Sequence, residues 1–300
     1  FGRCKTCCNL DAIKSSAALT GNKERYKESK ALFSVHYTDF MSRRERHNKI
    51  MKEAVENPDE VLTICIDAID KRKMQSPILP PSIRRDKSFA QMKRFPLVMV
   101  GAIAHGHAAP GDQWAPDGQN RYLIFYDALL GNHSGLKGAG ANETLTTLMC
   151  VLDDLREKNL LPTASRRRVL HAQFDNCSTN KNQDVLAFLS LLVATNMFTE
   201  IRIDFLLVGH THVLIDQWFR VISEDIFMLK DVSVATTPLL QKYLAGRFCC
   251  TVLNLDCFTD FHTMIQPFKA KITGHSEPYS YKVTRDQGHL KASYQTSQRA

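Results

Sequence analysis

The stretch 169–226 limits the fold of this chain more than any other part of it. It reads VLHAQFDNCSTNKNQDVLAFLSLLVATNMFTEIRIDFLLVGHTHVLIDQWFRVISEDI. Residues 169–174 form a short apolar run of strand type, closed by Asp175-Asn176-Cys177-Ser178. Residues 183–196 are apolar almost all round, the pattern of a buried helix. A second strand over 201–208 closes on Gly209-His210-Thr211-His212. Ile215, Phe219 and Ile222 then recur at helical spacing, with Asp216 near the start of that helix. Two strands joined by a helix predict a parallel crossover unit, and such sheets hold ligands at the C-terminal ends of their strands. Asp175, Asn176, His210 and His212 therefore fall where chemistry is expected.

The segments before this stretch extend the sheet. Residues 61–66 form a buried-strand run that ends in Asp67, with Asp70 just beyond. Strands follow over 97–104 and 121–126, separated by a Gly/Pro loop, and Asp127 ends the second of them. A glycine-rich turn over 131–140 leads to a helix over 143–158, with Asn142 as its expected N-cap. The order is three strands, then helix, strand, helix, strand, helix. That is the order of the ribonuclease-H-like fold, an α/β architecture on a mixed sheet, in which the first and fourth strands are parallel neighbours. Asp67 and Asp175 would then end adjacent strands, and the helix after the fifth strand would bring Asp216 to the same edge. An acid buried at a strand end is costly unless it is paired or binds a cation. Oxygen ligands suit Mg²⁺ or Mn²⁺, and two-metal phosphoryl chemistry needs such convergent carboxylates. Asp70, Asp127 and Glu143 are spare acids near that edge. Asn176, Ser178, Asn180 and Lys181 either contact a phosphate or cap the next helix, and Asn180 is the favoured cap. His210 and His212 either orient a scissile phosphate, bind metal or close the turn.

The flanks are different in kind. Cys4-x-x-Cys7 has the spacing of half a zinc site, with His36 and His47 as candidate partners. Residues 22–56 are charged and helix-prone; Arg43, Arg44, Arg46, Lys49 and Lys52 either meet phosphates or line a solvated face. Asn57-Pro58-Asp59 stops that helix. Beyond residue 230 a helix over 238–243 and strands over 247–255 and 279–294 are expected. The expected division is an arm over 1–57, the ribonuclease-H-like domain over 58–230 and a β-rich extension over 231–300. A net charge of +8 with pI near 9.0 favours a polyanionic partner. Nine cysteines without framework spacing read as reduced intracellular thiols plus one metal site. The longest apolar run, 185–198, is interrupted by Ser190, Thr195 and Asn196 and is too short to span a bilayer. The chain opens on Phe1, so it reads as a fragment with any targeting signal outside it.

Three motifs together make the chain familiar: Ile66-Asp67-Ala-Ile-Asp70-Lys, Phe174-Asp175-Asn176-Cys177-Ser178-Thr-Asn180-Lys-Asn182, and Val208-Gly209-His210-Thr211-His212-x-x-Ile215-Asp216-Gln217-x-Phe219. In this order they resemble a family of uncharacterised eukaryotic mobile-element proteins that look like DDE transposases or integrases. The likeness runs from Cys4-x-x-Cys7 to about Ser223. It implies metal-dependent DNA cleavage and joining in the nucleus by a self-associating protein, with Asp67, Asp175 and Asp216 as Mg²⁺ or Mn²⁺ ligands and Asp70, Asn176, His210 and His212 as accessories. Family members commonly read GHTH-Glu-Asp-Ile-Asp, whereas Val213 and Leu214 stand here, the mark of a degenerate copy if one of those acids is the essential one.

Two other classes compete. Gly131-Asn132-His133 and the GHTH motif resemble calcineurin-like metallophosphoesterases, although that chemistry needs Asp-x-His where this chain has Asp67-Ala-Ile. A transposon-derived domain that binds DNA without cutting it would use Lys and Arg alone, with steep salt dependence and indifference to metal.

Overall fold

The computed structural model describes residues 4–69, 75–76, 95–106, 119–127, 140–162, 168–205, 214–228, 237–269 and 274–296. Two helices come first, α1 (Lys5–Leu19) and α2 (Lys23–Glu56), followed by β1 (Val61–Ala68), a two-residue β2 (Gln75–Ser76), β3 (Phe95–His105) and β4 (Gln119–Asp127). Then α3 (Gly140–Glu157), β5 (Val169–Phe174), α4 (Gln183–Ala194), β6 (Glu200–Phe205) and α5 (Leu214–Met228) alternate. The chain ends in α6 (Thr237–Phe248), β7 (Thr251–Asn254), α7 (Phe261–Ile265), β8 (Ser280–Asp286) and β9 (His289–Gln295).

The strands lie in the order β7-β4-β3-β1-β5-β6-β8-β9, with β2 added onto β3. β1, β3 and β4 are antiparallel neighbours, whereas β1–β5 and β5–β6 are parallel. The expected mixed α/β sheet is therefore present, and its first and fourth long strands are parallel neighbours. The C-terminal region does not stand apart from it: β7 pairs with β4 at one edge and β8 with β6 at the other. The expected strand over 247–255 is shorter, because α6 continues through Phe248 and β7 begins at Thr251. The run over 279–294 is a hairpin. Its turn residues Gln287 and Gly288 both have positive φ, 47° and 85°, as a tight two-residue hairpin loop requires.

Alternation along the strands gives the sheet two different faces. One carries Leu62, Ile64 and Ile66 of β1 with Leu170, Ala172 and Phe174 of β5, and α3 and α4 cover it. α3 contributes Leu145, Leu148, Leu152 and Leu155 at helical spacing, all buried. The other face is shared. Over β3 and β4, α5 and α6 bury Ile215, Phe219, Ile222 and Leu244 against Met99, Ile103, Leu123 and Phe125. Over β5 and β6 lies α2, about 50 Å long at 1.5 Å per residue, and its docking is largely polar. Arg46 donates to Ser280 Oγ at 2.9 Å and pairs with Asp204 at 3.7 Å, while Arg202 pairs with Glu53 at 3.2 Å. Ala54 adds a small apolar contact with Val61 and Val169. So of the arm's basic residues, Arg43 and Arg46 serve the fold, whereas Arg44 and Lys49 face solvent.

Gly101 shows how closely α5 is seated. It pairs with Asp67 across β1 and β3, and a Cβ there would lie 2.7 Å from the Phe219 ring and 3.5 Å from Ile215 Cδ1. Gly101→Ala is expected to lose about 1–3 kcal/mol of stability by overpacking, read by urea melting. An unchanged midpoint would show that α5 yields freely at this point.

Candidate functional site

The C-terminal edge of β1 and β5 gathers the acids. In the parallel register Ile66 faces Phe174, so the next residues, Asp67 and Asp175, end neighbouring strands. Their side chains leave on the same face, the one that also carries the register pair Cys65 and Gln173, whose Sγ donates to Oε1 at 3.4 Å. Asp216 lies in the first turn of α5, and that helix is fixed above Gly101 by Ile215 and Phe219. All three acids are half-buried.

Asp67 registers its neighbours electrostatically. Burial raises its pKa, and the charges of Asp216 and Asp175 raise it further, to about 7 from the usual 3.8. The hydrogen bond it accepts from the Ala68 amide at 2.8 Å offsets only part of this. A half-protonated acid among acids is unfavourable as it stands, and a divalent cation would relieve it. The oxygens of the three do not all lie within 4.8 Å of one another. Two ions about 4 Å apart do not require that, since each carboxylate need reach only the nearer ion.

The loop from Asp175 to Asn182 is built differently from expectation. Asn182, not Asn180, caps α4, accepting from the Val185 amide at 3.0 Å. Asn180 accepts from Thr144 Oγ1 at 2.5 Å and donates to the Asp175 carbonyl at 3.3 Å, tying the strand end to α3. Asn142 is likewise no N-cap: α3 begins at Gly140, and Asn142 accepts from the His262 amide at 3.1 Å. Lys181 is buried, with its ammonium 5.3 Å from the centre of the Phe205 ring, which places a cation at the same sheet edge. Asn176 is half-buried beside Asp175. Of the spare acids, Glu143 accepts a hydrogen bond from the Tyr126 hydroxyl. Asp70, His210 and His212 lie outside the described residues, as do Val213 and the Gly131-Asn132-His133 motif.

A second cluster, buried between α2 and the sheet, was not anticipated. His171 on β5 is fully buried and its Nε2 lies 2.6 Å from Asp204 on β6. His47 of α2 lies beside it, the rings tilted at 48° with centres 6.3 Å apart, and His105 closes the group from the end of β3. Burial lowers His47 to about 3, aided by His171 and His105; burial, His171 and Arg121 lower His105 to about 4. Burial pushes Asp204 up, but its hydrogen bond with His171 and the charges of His171 and Arg46 prevail, leaving it at about 2. The only sequence signal was a polar residue inside each buried strand, VLHAQF and EIRIDF.

His47 is thereby removed from the cysteines. It is His36 that joins them: Cys4 Sγ is 3.4 Å from His36 Nε2. The ligand atoms of Cys4, Cys7 and His36 all lie within 4.8 Å of one another, the one such group among the described residues. Burial raises the Cys7 thiol to about 11, with Cys4 adding to it. Two sulfurs and an imidazole nitrogen make a candidate metal site. Cys8 is exposed, and no cysteine of the chain is in a disulfide.

Among the described residues no helix is long and apolar enough to cross a membrane. No curated protein and no solved structure matches the chain. A family profile matches residues 87–300, a span that contains Asp175 and Asp216 and begins after Asp67. By that match over most of its length, the chain belongs to the family described as Domain of unknown function (DUF7869).

Proposed function

We propose that this chain is a metal-dependent nuclease and strand-transfer enzyme of the transposase type acting on DNA, with Asp67, Asp175 and Asp216 holding Mg²⁺ or Mn²⁺. The observation that carries the reading is the placement of the acids: the parallel register of β1 and β5 ends both strands in an aspartate on one face, with Asp216 in the first turn of the helix seated over Gly101. The pKa of Asp67, raised by burial and then by the Asp216 and Asp175 charges, agrees with it. Three acids from three elements lie toward the same strand ends, where a sheet of this kind holds its ligands. The donor set fits the ion, since all three groups offer hard oxygens. Divalent cations there would supply Lewis-acid activation of water or a 3′ hydroxyl and neutralise the leaving oxygen. Asp67 and Asp175 would hold the ions from the rigid sheet, and Asp216 would complete the site from α5. Lys181 supplies positive charge at the same edge for the phosphate backbone. The surviving Asp216 also bears on the degenerate-copy expectation: it is the carboxylate of α5 whose charge reaches Asp67, while Leu214 is an exposed residue at the helix start.

The test is cleavage of a labelled DNA duplex with Mg²⁺ or Mn²⁺ and with neither. Metal-dependent nicking by the parent chain supports the reading. Salt-sensitive binding without any product, equal with and without metal, would replace it with the DNA-binding relic. Self-association and nuclear residence rest on the family resemblance and belong to this same proposal. For Cys4, Cys7 and His36 we assign zinc, because two thiolates and an imidazole are its usual donors and not those of Mg²⁺.

A further inference from the structure

α1 and α2 form a helical hairpin joined along a narrow stripe in which few side chains are fully buried. α1 has 15 residues and buries only Ala17. Leu19 is 90 % exposed, and Lys14 lies over the Phe33 ring of α2 at 5.9 Å. A helix of this length is marginal in water on its own, and amphipathic packing normally supplies the rest. Here that packing is thin: Leu10 and Ile13 are only half-buried against α2, and Ala17 is the one fully buried side chain of the helix.

The hairpin is instead closed at its two ends. At one end Gly21, with φ +67°, turns the chain, and the Asn22 amide donates to the Ala17 carbonyl at 2.9 Å. At the other end Cys4 and Cys7 meet His36. From that turn, α1 and the stretch of α2 up to His36 are each about 20 Å long, so the cysteines arrive opposite the histidine. Cys4, the residue before the helix, makes no capping hydrogen bond through its side chain. It is buried at the contact point while the neighbouring Cys8 is exposed.

We infer that a zinc ion bound by Cys4, Cys7 and His36 is the staple that folds α1 onto α2, so that α1 is helical and docked only when the metal is present. In metal-loaded chain the ion supplies the cross-link that the helix's own surface does not. α2 is held independently by Arg46, Arg202 and Ala54 against the sheet, so removal of zinc releases α1 and leaves the sheet intact. The inference does not depend on the nuclease reading, since none of its residues belongs to the carboxylate edge.

The experiment uses the full chain, purified in a non-thiol reductant, with metal content measured by elemental analysis and amide exchange followed by mass spectrometry. One zinc per chain is expected, with affinity falling more than about 100-fold in Cys4→Ser and His36→Ala and unchanged in Cys8→Ser. Stripping zinc from the parent chain should speed exchange over residues 5–19 by about 10-fold or more, with β1 and β5 unaffected, and added zinc should reverse it. Three results overturn the inference: no zinc in the reduced parent, equal zinc in Cys4→Ser and the parent, or α1 protection indifferent to zinc. Because the stripping arm needs no mutant, a variant that fails to fold leaves the answer intact.

Discussion

Asp175→Ala is expected to lower Mg²⁺-dependent DNA cleavage by about 10³-fold or more, the scale of losing one preorganised stabiliser of transition-state charge. Metal-free duplex binding should stay within about twofold, because phosphate contacts by Lys and Arg supply it. The same substitution should raise thermal stability without metal. It removes one of the two neighbouring charges that add to burial in raising the pKa of Asp67, and so relieves repulsion within the folded chain. Asp216→Asn should behave alike. Lost activity combined with a higher melting temperature is the signature of a site kept for chemistry at the expense of stability. A carboxylate kept for structure would show the reverse, with melting temperature falling as activity falls.

Acid should weaken the fold well before the usual carboxylate range. His47 and His105 are buried neutral, at about 3 and about 4 against 6.5. As pH falls below 6.5 the unfolded chain takes up both protons and the folded chain refuses them, so each histidine costs about 1.4 kcal/mol per pH unit. Asp67 acts in the opposite sense. Its folded pKa of about 7 exceeds the usual 3.8, so falling pH restores about 1.4 kcal/mol per unit over that interval. The net expectation between pH 6.5 and 4 is a loss of about 1.4 kcal/mol per unit, roughly 3 kcal/mol in all. Asp204, held at about 2, adds its own loss only as pH falls below 3.8 toward 2. Urea melts of metal-free chain across this range would measure the slope. His47→Met should flatten it to near zero, and Asp67→Asn should about double it. A slope that ignores His47→Met would show that α2 leaves the sheet before global unfolding.

The positions of these acids were legible in the sequence, for reasons specific to particular residues. Asp67 and Asp175 fell into place because each closes a short apolar strand, and parallel neighbours in register carry their last residues to one edge. Asp216 followed from the 3.6-residue period of Ile215, Phe219 and Ile222. The cap of α4 was misjudged by two residues, because Asn180 was needed to bind Thr144 and that demand comes from α3, distant in sequence. His171 and Asp204 were invisible for a similar reason. A polar residue within a buried strand reveals its partner only when the register is known. His36 and His47 are eleven residues apart, close to three helical turns, so both lie on one side of α2. Spacing could not choose between them, and the length of α1 does. The helix and strands of the C-terminal region were legible, but not their joining of the main sheet at its two edges, since strand pairing of that kind leaves no local trace.

The central claim is that three acids hold the metal. Crystals of the chain grown with Mn²⁺ and measured for anomalous scattering test it most directly. Two manganese peaks roughly 4 Å apart, within ligand distance of Asp67, Asp175 and Asp216, are the predicted result. Manganese bound instead by His133, His210 or His212, or no manganese at this edge, would contradict it.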